Sequence, residues 1–220
     1  MKRSQINAIM RQTVAFMRRC RFHLPRFAFW SPAQWARKGA AAGGIRAARL
    51  GWDITDFGSG DFARCGLFLF TIRNGKKGTG RAYAEKIMVV RERQVTPMHY
   101  HFEKTEDIIN RGGGNLVVRL YNAGRRENLA RTRVRVAVDG EVRSLPAGGT
   151  IVLTPGESIT LPPRLYHTFH GQPGRGTVLV GEVSTVNDDA RDNRFHAPAG
   201  RFPAIVEDTP PLYPLCFEYQ

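Results

Sequence analysis

"TPMHYHFEKTEDIINRGGG" (residues 96–114) decides how this chain is read. His99 and His101 stand two apart. Side chains alternate between the faces of a strand, so both imidazoles share one face. Two imidazoles make half a metal site. One strand cannot offer a full ligand shell at good angles, so the chain must turn and bring further ligands back. Glu106 follows at the spacing HxHx4E, and Gly113 comes after six more residues. Much later, "GESITLPPRLYH" (residues 156–167) adds Gly156, Pro162 and a third histidine, His167. Three imidazoles and a carboxylate suit a divalent transition metal.

The surroundings of this stretch read as β structure. "GLFLFTIRNG", "YAEKIMVVRE", "NLVVRLYNA", "TRVRVAVDGEVRSL", "GTIVLT", "ESITLP", "LYHTFHG" and "TVLVGEVSTV" follow one another at short intervals from about residue 66. "VAVDGEV" is a two-residue hairpin signal, because Asp-Gly accepts the positive φ of a type I′ turn. Many short strands with frequent turns predict an all-β sandwich or barrel. The start of the chain differs. "SQINAIMRQTVAFMRR" places Ile6, Ile9, Met10, Thr13 and Met17 on one helical stripe, with Ser4 as the expected N-cap. Ser31 is the expected cap of a second, short helix with Pro32 at its first position. "GAAAGG" (39–44) reads as a linker. The expected organisation is a helical arm and linker over 1–64 and a barrel over 65–220, the tail from Asn187 wrapping the barrel as loops.

Charge is unevenly spread over the 220 residues. Of 33 Lys/Arg, eleven fall in residues 1–50, which hold no Asp or Glu; the other 170 residues carry 22 basic and 19 acidic groups. The basicity therefore belongs to the arm, where a solvated helical surface is expected. No zinc-finger spacing or RNP-like aromatic motif accompanies it, and a nucleic-acid partner is not expected. Cys20, Cys65 and Cys216 are too few and too scattered for a disulfide framework, which suits a reducing compartment. No apolar run nears the roughly 20 residues that cross a bilayer. A cytoplasmic location without a secretory leader is the expectation.

The two histidine segments resemble the paired motifs of the cupin superfamily. His99, His101, Glu106 and Gly113 fit the first motif throughout. Gly156, Pro162 and His167 fit the second, while Arg164 stands where that motif has glycine. The resemblance implies a cupin-type jelly-roll β-barrel, here with an N-terminal helical extension, and metal ligation by His99, His101, Glu106 and His167. Glu103 shares parity with the histidines, but the motif spacing favours Glu106. His170 is three residues past His167, so a strand would turn it to the opposite face.

A closer likeness covers nearly the whole chain. "MKRSQIN", "LPRFAFWSPAQW", "LGWDITDFGSG", "EDIINRGGGNL", "TPGES" and "VLVGEVSTVNDDARDNRF" are together similar to the D-lyxose isomerase family of cupin sugar isomerases. The likeness departs in the basic first fifty residues and the Arg-rich stretch 123–135. It implies aldose–ketose isomerisation, D-lyxose to D-xylulose and also D-mannose to D-fructose, through a metal-chelated cis-enediol. Mn²⁺ is the implied metal, with Co²⁺, Ni²⁺, Fe²⁺ and Zn²⁺ as alternatives, and the implied assembly is a homodimer. Such chemistry needs a base within reach of C1 and C2. Lys104, between His101 and Glu106, is one candidate. Glu182 is the other, since a carboxylate within the apolar run "VLVGEVS" is costly unless paired or used. Lys86, a charge within "YAEKIMVV", is expected to bind a sugar hydroxyl or to pair Glu182. Asp188, Asn193 and Arg194 are the expected sugar-binding groups of "NDDARDNRF". Two other readings of the same ligands are an Fe²⁺ dioxygenase and a non-catalytic sugar-binding or regulatory cupin. The charges at Lys86, Lys104 and Glu182 argue against the apolar oxygen pocket of the former.

Overall fold

The computed structural model describes residues 1–186 and 191–219. The apolar stripe of the arm becomes helix α1 (Arg3–Arg19), and Ile6, Ile9, Met10, Thr13 and Met17 are all buried. Ser4 is not its N-cap. Lys2 holds that position without a side-chain bond. The free Ser4 N–H donates instead to Asp208 Oδ1 at 2.9 Å, and the Ser4 hydroxyl to Asp208 Oδ2 at 2.7 Å. A carboxylate from the far end of the chain thus satisfies the exposed donors and the positive end of the helix dipole. Helix α2 (Pro32–Lys38) starts as expected: Ser31 N–H donates to Gln34 Oε1 and Gln34 N–H to Ser31 Oγ. The "GAAAGG" stretch is not an open linker. A 3₁₀ turn (Gly39–Ala42) runs straight into α3 (Gly43–Ala47), and Ala42 is fully buried. Small alanines with high helix propensity outweigh the flanking glycines there.

Among the described residues the strands are β1 (Gly51–Thr55), β2 (Leu67–Asn74), β3 (Tyr83–Val90), β4 (His99–His101), β5 (Glu106–Gly113), β6 (Leu116–Asn122) and β7 (Val134–Val138). They continue as β8 (Glu141–Leu145), β9 (Thr150–Leu153), β10 (Ser158–Leu161), β11 (Leu165–Gly171), β12 (Val178–Thr185) and β13 (Asn193–Phe195). All named pairs are antiparallel. One sheet has the order β1-β2-β3-β12-β5-β10-β7-β8, the other β13-β4-β11-β6-β9. Asp139 and Gly140 both take positive φ, 49° and 84°, as the type I′ hairpin between β7 and β8 requires. Arg164 adopts φ 62°, the left-handed conformation that the motif's glycine would take freely. Its N–H donates to His101 O at 2.8 Å and its carbonyl accepts from Ala123 N–H at 3.0 Å.

Two apolar layers result. Leu69, Met88, Val90 and Ile108 from the larger sheet meet Val118, Leu120, Leu165 and Phe169 from the smaller one inside the barrel. On the outer face of the larger sheet, Ile54, Phe68, Phe70, Ile87 and Val89 lie under Ile6, Ile9, Met10 and Met17 of α1. This explains why "LFLF" is apolar without alternation: Leu69 faces the barrel and Phe68 and Phe70 face the helix. Ile6 is completely buried. Ile6→Ala is therefore expected to cost about 2–5 kcal/mol in urea denaturation; a loss below 1 kcal/mol would mean that α1 does not pack as described.

The tail from residue 191 is more than loops. Its residues 193–195 form β13 against β4, with Asn193 opposite His101 and Phe195 opposite His99. Three residues are too few to show a period. The remainder is pinned to the arm. Arg3 is buried and pairs with Glu207 (Nε to Oε2 2.9 Å) and Glu218. Asn7 donates to Pro210 O and accepts from Leu212 N–H, both at 2.9 Å. Arg3 is thus one member of the basic arm that is not solvated, whereas Arg18, Arg19 and Arg21 are exposed.

Candidate functional site

The site sits at the mouth of the barrel, where short β4 lies between β11 and β13. Period two puts His99 and His101 on the inner face of β4, and the register sets His167 of β11 directly opposite His99. The ring centroids are 4.2 Å apart for His99 and His167, 5.1 Å for His99 and His101, and 5.7 Å for His101 and His167. One nitrogen of each ring lies within 4.8 Å of the others. Two rings are oriented from behind: His99 Nδ1 is 2.8 Å from Pro97 O and His167 Nδ1 is 3.0 Å from Leu165 O. A carbonyl accepts only from a protonated Nδ1, which leaves Nε2 with its lone pair for a ligand. Burial, and then repulsion from His167 and His101, holds His99 well below the ordinary imidazole range. Burial also lowers His101, with Lys104 adding to the effect. Neutral imidazoles are the ligand form.

Glu106 opens β5 beneath these rings. Its Oε1 lies 3.0 Å from His167 Nε2 and 3.4 Å from His101 Nε2, and it accepts no hydrogen bond of good geometry among the described residues. Burial pushes the Glu106 carboxyl up, but Lys104 and the neighbouring His101 outweigh it and hold the group well below the usual carboxylate range. An ionised, buried oxygen aimed at two imidazole nitrogens is an arrangement that a divalent cation completes. The residues present therefore fit a metal.

Behind Glu106 runs a line of alternating charges. Lys104 Nζ is 2.6 Å from Glu106 Oε2 and 3.0 Å from Glu182 Oε1. Lys86, opposite Glu182 in the β3–β12 register, puts its Nζ 3.1 Å from the same Glu182 oxygen. All four are buried. Burial raises the Glu182 carboxyl, but the ammonium groups of Lys104 and Lys86 prevail and lower it. The order carboxylate, ammonium, carboxylate, ammonium makes four buried charges tolerable.

The other expected site residues separate. Asn193 lines the cavity with Lys86, Lys104, Glu106, Glu182 and the three histidines. Arg194, its neighbour on β13, projects from the opposite face and pairs with Glu127 at 2.8 Å, so it does not reach the cavity. Asp188 lies outside the described residues. Glu103 is exposed and bonded to Lys77 at 2.6 Å. His170 stands outside the cluster. Phe57, Phe195 and Arg201 also line the cavity and were not expected. Phe195 packs 5.8 Å from the His99 ring, and its parity with Asn193 would have placed it had β13 been read as a strand. Arg201 is held by two bonds to buried Asp53, 148 residues earlier, a pairing with no local signal.

Comparison with known proteins shows the family to which the chain belongs. The model of the family described as D-lyxose isomerase matches residues 1–219. A D-lyxose/D-mannose isomerase of Serratia proteamaculans is 54% identical over 223 residues, covering 100% of this chain and 98% of that protein. One of Escherichia coli O157:H7 is 52% identical over 224 residues, covering 100% and 99%. Among solved structures, an L-ribose isomerase of Cellulomonas parahominis shares the fold, with a TM-score of 0.65 at 17% identity over 94% of this chain and 98% of that one. With a match that runs almost from end to end and relatives above half identity, the chain belongs to the D-lyxose isomerase family.

Proposed function

We propose that this protein interconverts an aldose and its ketose, D-lyxose and D-xylulose first and D-mannose and D-fructose second. The observation that carries the reading is the buried line Glu106–Lys104–Glu182–Lys86 beside three converging imidazoles. The activity named for the two relatives above supports it. His99, His101, His167 and Glu106 would hold a divalent metal, Mn²⁺ before Co²⁺, Ni²⁺, Fe²⁺ or Zn²⁺. When bound, that ion supplies Lewis-acid polarisation of the sugar carbonyl.

The protein's own groups move the protons. Glu182, kept ionised by two ammonium groups, takes the proton from C2 of the open-chain aldose. Lys104 donates a proton to O1 as the carbonyl becomes a hydroxyl, which yields an enediol. Glu182 then returns its proton to C1, and Lys104 recovers one from the O2 hydroxyl, which becomes the ketose carbonyl. Atoms and charge are restored at the end of the cycle. Lys86 holds the Glu182 carboxylate from its far side, Asn193 offers an amide to the sugar hydroxyls, and Phe57 and Phe195 limit access of water. We place the working unit, a homodimer, in the cytoplasm; Cys20, Cys65 and Cys216 are too few and too scattered for a disulfide framework, which is compatible with that reducing compartment.

A panel of aldoses with a ketose-specific colour assay, run with chelator and then with Mn²⁺ restored, tests the reading. D-lyxose should be converted, chelation should stop conversion, and Mn²⁺ should bring it back. Turnover that survives exhaustive chelation would contradict the metal's part. Exposed Arg18, Arg19 and Arg21 lie outside the cavity lining. Their joint replacement by Gln should leave the low-salt turnover number unchanged, and a large fall in a folded protein would show that the arm reaches the site.

A further inference from the structure

Asp192 is a buried carboxylate that the proton transfers above do not use. It stands immediately before β13, and its three acceptors point to one place. Its carbonyl accepts from Phe102 N–H at 3.1 Å, its Oδ1 from Glu103 N–H at 2.8 Å and its Oδ2 from Lys104 N–H at 3.2 Å. Three successive donors of the excursion between β4 and β5 therefore end on one residue from the far end of the chain. Those N–H groups have no ladder to enter, because residues 102–105 lie between strands. The next tie comes at Thr105, whose N–H donates to Thr185 Oγ1 at 3.2 Å. An anionic acceptor bonds N–H groups more strongly than a neutral one and offers two oxygens at fixed separation. Asparagine would offer one oxygen and set its own N–H groups against the second donor.

We propose that Asp192 is a positioning residue: it clamps the 102–104 backbone so that Lys104 Nζ stands between Glu106 and Glu182. The proposal rests on the reading of Lys104 as a proton-transfer group. It also explains why the C-terminal segment enters the barrel mouth at all, since β13 delivers Asp192 to the excursion and Asn193 to the cavity. Asp192 acts through Lys104 and touches no ligand nitrogen, its Oδ2 standing 3.9 Å from His101 Nδ1, beyond hydrogen-bond reach.

The test uses the full-length, Mn²⁺-loaded protein and the variants Asp192→Ala, Asp192→Asn, Lys104→Ala and the Lys104→Ala/Asp192→Ala pair. Asp192→Ala should lower kcat for D-lyxose by up to about 10²-fold, the cost of a misplaced group, with KM and metal content nearly unchanged. Asp192→Asn should recover part of the loss. The double variant should be no slower than Lys104→Ala alone, because the second change removes support from a side chain already gone. Independently of turnover, the Glu103 and Lys104 amides should be protected from hydrogen exchange in the parent and lose that protection in Asp192→Ala. Multiplying losses in the double variant, loss of bound metal, or unprotected amides in the parent would each overturn the proposal. An active Lys104→Ala enzyme would instead refute the proton-transfer reading, and the amide measurement would still decide whether Asp192 holds the backbone.

Discussion

Alanine at His101 or His167 is expected to abolish both metal retention and turnover. Each ring is buried, and the Nε2 of each faces Glu106 Oε1. Removal of either leaves two imidazoles and a carboxylate around a cavity that water fills, so the remaining proposed ligands would no longer enclose an ion. Changes behind a ligand already cost 10–100-fold in metal affinity, and loss of a ligand itself should exceed about 100-fold. Metal content of the purified variants by mass spectrometry, beside the ketose assay, reads both effects, with circular dichroism to confirm folding. Glu103→Ala and His170→Ala should retain metal, since Glu103 is bonded to Lys77 and His170 stands outside the cluster. Full occupancy in His167→Ala with loss in His170→Ala would reassign the ligand.

The second large effect belongs to the charge line. Glu182→Gln should lower kcat by about 10²–10⁴-fold, as should Lys104→Ala, the range for loss of a general acid or base. Glutamine has the size of glutamate but accepts no proton from carbon, and it leaves the Lys104 and Lys86 ammonium groups facing an amide. Metal should be retained, because neither residue belongs to the proposed ligand set, and KM should change far less than kcat. Steady-state kinetics on D-lyxose with metal analysis of the same samples separates the two. A fall in kcat below tenfold for both variants, with full metal, would place the base elsewhere.

Much of this could be read from sequence because it rests on local rules. Period two alone aligns His99 with His101, and Asp139-Gly140 dictates its turn. Apolar spacing gives α1, and a charge inside an apolar run marks Lys86 and Glu182. The motif spacing set His167 beside them, and the register of β4 with β11 shows how. What was illegible is long-range or very short. Asp208 displaces Ser4 as the cap of α1 from 204 residues away. Arg201 and Asp53 find each other only in the fold. β13 has three residues, too few for alternation to show which of Asn193, Arg194 and Phe195 faces the cavity. Arg194, an expected sugar-binding group, lies outward against Glu127.

The most direct measurement is ¹H and ¹³C NMR of D-lyxose incubated with the Mn²⁺-loaded protein in D₂O, followed by removal of the paramagnetic ion. In the proposed route the abstracted proton rests on Glu182, in contact with the Lys104 and Lys86 nitrogens, whose protons exchange with solvent. D-xylulose carrying deuterium at C1, and recovered D-lyxose carrying deuterium at C2, are the expected products. Unchanged D-lyxose with a folded, metal-loaded protein would contradict the isomerase reading. D-xylulose formed with no solvent deuterium, the C2 hydrogen passing intact to C1, would contradict proton transfer through Glu182 and Lys104.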